Sequence, residues 1–132
     1  MKQYLLDTNI CIYFLKGLYQ LDDIIEKAGV HNCFVSEITI AELKFDAENS
    51  DNPQKNSKVV RDFSKKFAIL PIFTSLDLYA KEKSRLKKMG KLLDDFDLLI
   101  GAAAVTNHLI LVTKNVSDFN RIHGIEIEDW TV

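Results

Sequence analysis

Four polar residues in this 132-residue chain, Asp7, Glu42, Asp97 and Asn115, each fall at or just beyond a short apolar run. Asp7 directly follows Tyr4-Leu5-Leu6, and Glu42 sits on a predicted helix after Cys33 to Val35. Asp97 lies in the first turn of a helix opened by Asp94 or Asp95, and Asn115 stands just past a run ending at Thr113. In open parallel sheets, functional groups gather at the carboxyl ends of the strands, so residues far apart in sequence can meet there. Carboxylates crowded into one cleft repel each other and raise each other's pKa unless a cation neutralises them. Mg²⁺ or Mn²⁺ suits such oxygen ligands and can activate one of its waters for attack on a phosphodiester. Taken singly, each acid has an ordinary explanation: Asp7 as a helix cap, Asp97 at the positive end of its helix, Glu42 as an exposed helical acid. Only their joint placement suggests a metal site. Cys11 and Cys33 lie in apolar patterns with no partner at ligand spacing and read as small buried hydrophobes. His31, His108 and His123 have no useful spacing either and read as structural.

The elements that must position these acids alternate in type. Strands are predicted over Tyr4 to Leu6, Cys33 to Val35, Ile69 to Phe73, Leu109 to Val112 and Ile125 to Ile127, the third as an edge strand because of its proline. Helices are predicted from Asn9 to Lys16, closed by Gly17, and from Leu21 to Ala28, ended by Gly29. Another, capped by Ser36, runs from Glu37 to Glu48 with Ile40, Leu43 and Ala47 on one face. A fourth opens at Pro53 and carries Val59, Val60, Phe63 and Phe67 at helical spacing. The remaining two run from a capping box of Thr74 and Asp77 to Met89, closed by Gly90, and from Phe96 to Thr106. Strands separated by helices imply a mainly parallel sheet covered on both faces, an α/β/α three-layer sandwich in which residues 1–132 form a single domain.

Composition narrows the function classes. No apolar stretch approaches the length of a bilayer span, and no basic and apolar leader precedes the first strand, so the expected compartment is the cytoplasm. Net charge is −2 but unevenly spread. Between Gln54 and Lys91 eleven basic residues face three acids, which gives that segment +8 and leaves −10 for the rest. A basic middle beside acidic flanks suits a phosphate-polymer binder with a carboxylate metal site, although two solvated helical faces would look the same.

The words around the acids resemble a known family. Tyr4-Leu5-Leu6-Asp7-Thr8-Asn9-Ile10-Cys11-Ile12-Tyr13 resembles the amino-terminal motif of PIN-domain toxins of the VapC type, and Ser36-Glu37-Ile38-Thr39-Ile40-Ala41-Glu42-Leu43 resembles their second motif. Phe96-Asp97-Leu98-Leu99-Ile100-Gly101-Ala102-Ala103 resembles the third, and Leu111-Val112-Thr113-Lys114-Asn115 with Asp118-Phe119 the fourth. The tail from Gly124 to Trp130 is similar as well, so the resemblance spans the chain with its motifs in order.

That resemblance implies a Mg²⁺- or Mn²⁺-dependent endoribonuclease, usually dimeric, held inactive by a small antitoxin that lays a helix across it and places a basic side chain in the acidic site. Asp7, Glu42 and Asp97 match the metal-binding positions; Asn115 matches a fourth position acting through water, and Thr113 a hydroxyl that orients Asp7. Asp118 belongs to the fourth motif as an auxiliary acid. The opening Asp-Thr-Asn-Ile-Cys-Ile is similar to that of toxins acting on initiator tRNA, and relatives often cut tRNA anticodon loops. Hydrolysis would leave a 5′-phosphate and a 3′-hydroxyl, with Lys55, Lys58, Arg61, Lys87, Lys88, Lys91 and Lys114 as candidate RNA contacts. The chain departs from the family at Asp46, where many relatives have Gly, at Leu93-Asp94-Asp95 in place of Ile-Gly-Pro, and at Lys114 in place of a frequent Asn. Two other readings stand beside this one: a non-catalytic PIN-like module that binds RNA or protein, and a phosphoacceptor receiver domain. The receiver needs an acidic pair at the first strand, where this chain has Asp7 alone followed by Thr8 and Asn9.

Overall fold

The structure is a computed structural model that describes residues 1–132. Five strands, β1 (Tyr4–Leu6), β2 (Cys33–Ser36), β3 (Ala68–Leu70), β4 (Ile110–Val112) and β5 (Ile127–Glu128), form one sheet in the order β3-β2-β1-β4-β5. Every pairing is parallel. Seven helices connect and cover them: α1 (Thr8–Leu15), α2 (Leu21–Ala28), α3 (Glu37–Glu48), α4 (Pro53–Lys66), α5 (Leu76–Lys88), α6 (Asp95–Thr106) and α7 (Val116–Phe119). This is the three-layer α/β/α arrangement expected from the alternation of apolar runs and helical periodicity.

The central strands are apolar up to the buried Ser36 that ends β2, because both of their faces are covered. On one face Leu6, Val35 and Val112 pack with Ile10 and Cys11 of α1, Leu21 and Ile25 of α2, Leu43 and Ala47 of α3, and Val60 and Phe63 of α4. On the other, Leu5 and Leu111 pack with Leu86 of α5, Leu98, Ile100, Ala103 and Ala104 of α6, and Phe119 of α7. Gly101 lets α6 approach the carboxy-terminal segment, since a Cβ there would collide with the Ile122 side chain. No helix is long and apolar enough to cross a membrane.

Several boundaries differ from the sequence reading. The third strand stops at Leu70 because Pro71 has no N–H for the ladder; the chain then makes a 3-10 turn at Phe73–Ser75 before α5. Ser75 rather than Thr74 is therefore the N-cap of α5, and its hydroxyl donates to the Ile72 carbonyl at 2.7 Å instead of capping the helix. Helix α7, with four residues, is too short to show a period in the sequence. The last strand falls at Ile127–Glu128, two residues later than its apolar run begins. Val59 is exposed at the edge of the stripe formed by Val60, Phe63 and Phe67.

The basic middle segment is not one surface. Lys55, Lys58 and Arg61 ride on α4, which covers one face of the sheet, whereas Lys87 and Lys88 end α5 on the other and Lys91 follows them. A charge run continuous in sequence is thus divided by the sheet, and Lys58 is already paired with Asp62 at 2.9 Å.

Candidate active site

Strand register builds the site. Leu6 pairs with Val35 on one side and Val112 on the other, so the residues that follow, Asp7, Ser36 and Thr113, line up along the carboxyl edge of the sheet. Asp7 is pinned there by its N–H to the Val112 carbonyl at 3.0 Å. Its side chain caps α1, with Oδ1 accepting from the Thr8 N–H at 2.7 Å, while Oδ2 accepts from the Thr113 hydroxyl at 2.8 Å. Capping and site-building are therefore one geometry at Asp7, not alternatives.

A pocket of about 660 Å³ opens at this edge, lined by Asp7, Thr8, Asn9 and Ile12 of the first segment, Ala41, Glu42, Phe45 and Asp46 of α3, and Phe96 and Asp97 of α6. Helical spacing puts Glu42 on the side of α3 that faces α1. The Thr8 hydroxyl donates to Glu42 Oε1 at 2.8 Å, and since a hydroxyl carries one proton, Thr39, 2.8 Å away and fully buried, is the donor to Thr8. Asp97 enters from the first turn of α6, whose start is fixed by Asp94 accepting from the Phe96 N–H at 3.1 Å.

The acids share electrostatic stress. Burial pushes the Asp7 carboxyl up, partly offset by its bonds to Thr113 and Thr8. Glu42 is raised by burial first and then by Asp7, Asp94 and Asp46, against the lowering effect of Thr8. Asp97 is pushed up to about 6, by burial first and then by Asp7, Asp94, Glu42 and Asp118. Strongly perturbed carboxylates in a cleft are the pattern of a functional site.

The sequence-derived acids Asp7, Glu42 and Asp97 thus come together in one pocket, whose lining does not include Asn115 or Asp118. The Asn115 N–H donates to Thr113 Oγ1 at 3.0 Å, and its side-chain amide donates to Asp118 Oδ2 at 3.0 Å. Asp118 is also bridged to Arg121 at 3.3 Å. Of the two acids before Asp97, Asp94 caps α6, whereas Asp95 turns toward α5 and is held by Lys83 at 2.8 Å and the Tyr79 hydroxyl at 2.9 Å. Lys114 lies over the rings of Tyr13 and Tyr19 and donates to the Tyr19 hydroxyl at 3.1 Å. None of the seven candidate basic contacts lines the acidic pocket. Sequence reasoning missed Thr8, Thr39, Phe45 and Phe96; the signal for the threonines was a hydroxyl beside Asp7 and another three residues before Glu42 on one helix face.

The donor set fits a divalent cation of the Mg²⁺ kind. No three His, Cys, Asp or Glu side chains are disposed so as to hold an ion together. Mg²⁺ keeps several of its waters and usually takes only one or two carboxylates, so a loose, oxygen-only, mutually repelling set suits it better than a closed zinc-like cage would.

Comparison with known proteins agrees with this geometry. The PIN domain pattern matches residues 4–125. The chain is 38% identical over 133 residues to ribonuclease VapC2 of Haemophilus influenzae, covering 98% of this chain and 99% of that protein. It is 32% identical to the tRNA(fMet)-specific endonuclease VapC of Salmonella typhimurium, again over 98% and 99%. Among solved structures, the DNA-bound VapBC complex of Salmonella typhimurium superposes with a TM-score of 0.89 at 30% identity over 98% and 99% of the two chains. VapBC-1 of nontypeable Haemophilus influenzae does so with 0.88 at 31% identity over 98% of each. With an α/β fold, an acidic pocket at the sheet edge and near-complete coverage by these relatives, the chain belongs to the PIN-domain family, among the VapC ribonucleases.

Proposed function

We propose that residues 1–132 act as one PIN-like unit, a metal-dependent endoribonuclease in which Asp7, Glu42 and Asp97 hold Mg²⁺ or Mn²⁺. The observation that carries this reading is the convergence of three desolvated carboxylates in one open pocket with no cation from the protein facing them. A bound divalent ion would supply Lewis-acid polarisation of a phosphate oxygen and a lowered pKa for an attacking water. The chain's own work is positioning. Thr113 and Thr8 fix both oxygens of Asp7, the Thr39–Thr8 relay fixes Glu42, and Asn115, itself held by Asp118, donates its N–H to Thr113.

The substrate we propose is a structured RNA with an unpaired loop, as proteins read splayed bases there. The Salmonella relative named for tRNA(fMet) makes initiator tRNA the first substrate to test. Lys114, one residue from Thr113 but held by the Tyr19 hydroxyl outside the pocket lining, is one candidate phosphate contact, with Lys55, Lys58 and Arg61 or Lys87, Lys88 and Lys91 serving separate outer tracks. The protein's place is the cytoplasm, with RNA and an antitoxin. An apolar groove of about 500 Å³ between α1, α3 and α4, lined by Ile12, Leu15, Leu43, Ala47, Val59 and Val60, runs into the acidic pocket through the shared Ile12 and Asp46. It suits an amphipathic antitoxin helix whose basic side chain would reach the carboxylates; that the structural neighbours are VapBC toxin–antitoxin complexes supports an antitoxin partner. We take the active unit to be a homodimer, which light scattering on the purified chain tests.

Incubation of RNA with the antitoxin-free protein in Mg²⁺ or Mn²⁺ should give cleavage that EDTA stops. Asp7→Ala and Asp97→Ala should each lose it by on the order of a thousandfold while the circular dichroism stays native. Full activity in either variant, or undiminished cutting in EDTA, overturns the reading.

A further inference from the structure

Two phenylalanines on the rim of the acidic pocket take no part in the apolar cores or in holding the acids. Phe45 is 65% exposed and Phe96 45% exposed, although both are among the residues that line the pocket. Neither belongs to either apolar core, and neither has an aromatic partner. Their places are fixed by the acids themselves. Phe45 is one helical turn after Glu42 on α3, and Phe96 directly precedes Asp97 on α6, with its N–H held by Asp94. The two rings therefore stand on different helices beside two of the acids. Large apolar rings left in water around a polar cleft mark a surface that something covers.

We propose that Phe45 and Phe96 are stacking walls for unpaired nucleobases on either side of the phosphodiester that is cut. The proposal rests on the ribonuclease reading and narrows its substrate to RNA that is single-stranded at the site, read by base planes and not by base edges. The argument is one of charge and shape. A rim next to Asp7, Glu42, Asp46, Asp94 and Asp97 repels the sugar–phosphate backbone everywhere except at the cation, so the uncharged faces of the bases are the part of RNA that can approach it. Phenylalanine offers no hydrogen bond, so it can hold a base only by its π face, and such stacking tolerates any base. A base within a duplex has both faces occupied and cannot use these walls. A protein helix is the poorer occupant because the groove that suits one is lined by Ile12, Leu15, Leu43, Ala47, Val59 and Val60 and contains neither ring.

The test uses the antitoxin-free protein and a short single-stranded RNA in which each nucleotide in turn is replaced by 2-aminopurine or by an abasic residue. Stopped-flow mixing should quench 2-aminopurine at the positions flanking the cut, and Phe45→Ala or Phe96→Ala should abolish that quench at one position each. KM should rise roughly tenfold in each variant with kcat nearly unchanged, as expected when stacking with a base is removed. Phe→Trp should restore KM, Phe→Leu should not, and an abasic residue at the matching position should cost the wild type the same factor but cost the alanine variant nothing further. Both side chains are exposed, so thermal melting should be unchanged. Equal KM and quench in the alanine variants, or leucine serving as well as phenylalanine, overturns the proposal while Asp97-dependent cleavage leaves the nuclease reading standing. Loss of antitoxin binding alone would assign the rings to the protein partner and also overturns it. If the wild type cuts no RNA, the nuclease reading falls, and absence of quench then removes the stacking walls with it.

Discussion

Glu82 and Asp7 are both carboxylates with 5% or less of their surface exposed, yet the protein treats them oppositely. Glu82, on α5, accepts from Arg85 Nε at 2.7 Å and Nη2 at 2.9 Å, and from the His123 N–H at 2.6 Å. Arg85 also donates to the Arg121 carbonyl at 2.7 Å, so the pair staples α5 to the carboxy-terminal segment. The Arg85 guanidinium holds the Glu82 carboxyl below its ordinary value. Asp7 meets only neutral donors, Thr8 and Thr113, and burial leaves it raised, with Asp97 pushed up to about 6 beside it. A buried carboxylate given its cation by the chain is a fastener. One denied a cation stores repulsion that an external cation would relieve, which is how a fold keeps a site ready at a cost in stability.

The sharpest way to break this contrast is Asp97→Asn. Cleavage should fall on the order of a thousandfold, while the metal-free protein should melt a few degrees higher near neutral pH, because a repelling charge is gone. The sign follows from linkage. Asp97 has its pKa raised from 3.8 to about 6 on folding, so the native state binds a proton more tightly than the unfolded chain and loses stability as the pH rises through that interval. The advantage of the Asp97→Asn variant over the wild type should therefore open between about pH 4 and 6 and stay constant above; melting curves across pH in which the gap between the two proteins does not widen over that interval would refute the stored repulsion.

Thr113→Val tests positioning with a nearly isosteric change. It removes the hydroxyl that donates to Asp7 Oδ2 and accepts from Asn115, and cleavage should drop by about tenfold, the scale for groups that orient a metal ligand. A higher metal concentration should recover part of the loss, whereas a purely structural role would leave the metal dependence unmoved. Glu82→Gln should do the reverse of Asp97→Asn. Activity should persist, and the melting midpoint should fall by several degrees at neutral pH. Since the Glu82 pKa is lowered in the fold, its contribution is present above the ordinary glutamate range and disappears as pH falls through the folded value, so the two proteins should converge in acid.

Particular residues show where sequence reasoning carried and where it stopped. Asp7 and Asp97 were readable because each is tied to a strand end or a helix start that apolar periodicity reveals, and Glu42 because it lies within the helix that follows the second strand. The division of the basic segment was not readable: Lys58 and Lys88 are thirty residues apart in one charge run, and only the sheet between α4 and α5 separates them. Ser75 displaced Thr74 as the N-cap because a 3-10 turn after Pro71 shifts the helix start, and such a turn has no period to detect. Thr39 shares a helix face with Glu42, three residues on, but only the fold brings it 2.8 Å from Thr8. Asp94 and Asp95, indistinguishable as neighbours, proved to face different elements.

What the sequence determined alone is the alternation of short apolar runs with helical stripes, since burial on both faces of a strand and on one face of a helix is a local pattern that the chain must carry in its residue order. It also determined that acids follow three of those elements. Which carboxylates are left without a cation was decided only in three dimensions: Arg85 lies three residues from Glu82 on one helix, whereas Asp7, Glu42 and Asp97 come from three elements into a pocket that no Lys or Arg lines. Local pattern places charges on elements; the packing of elements settles their electrostatic fate.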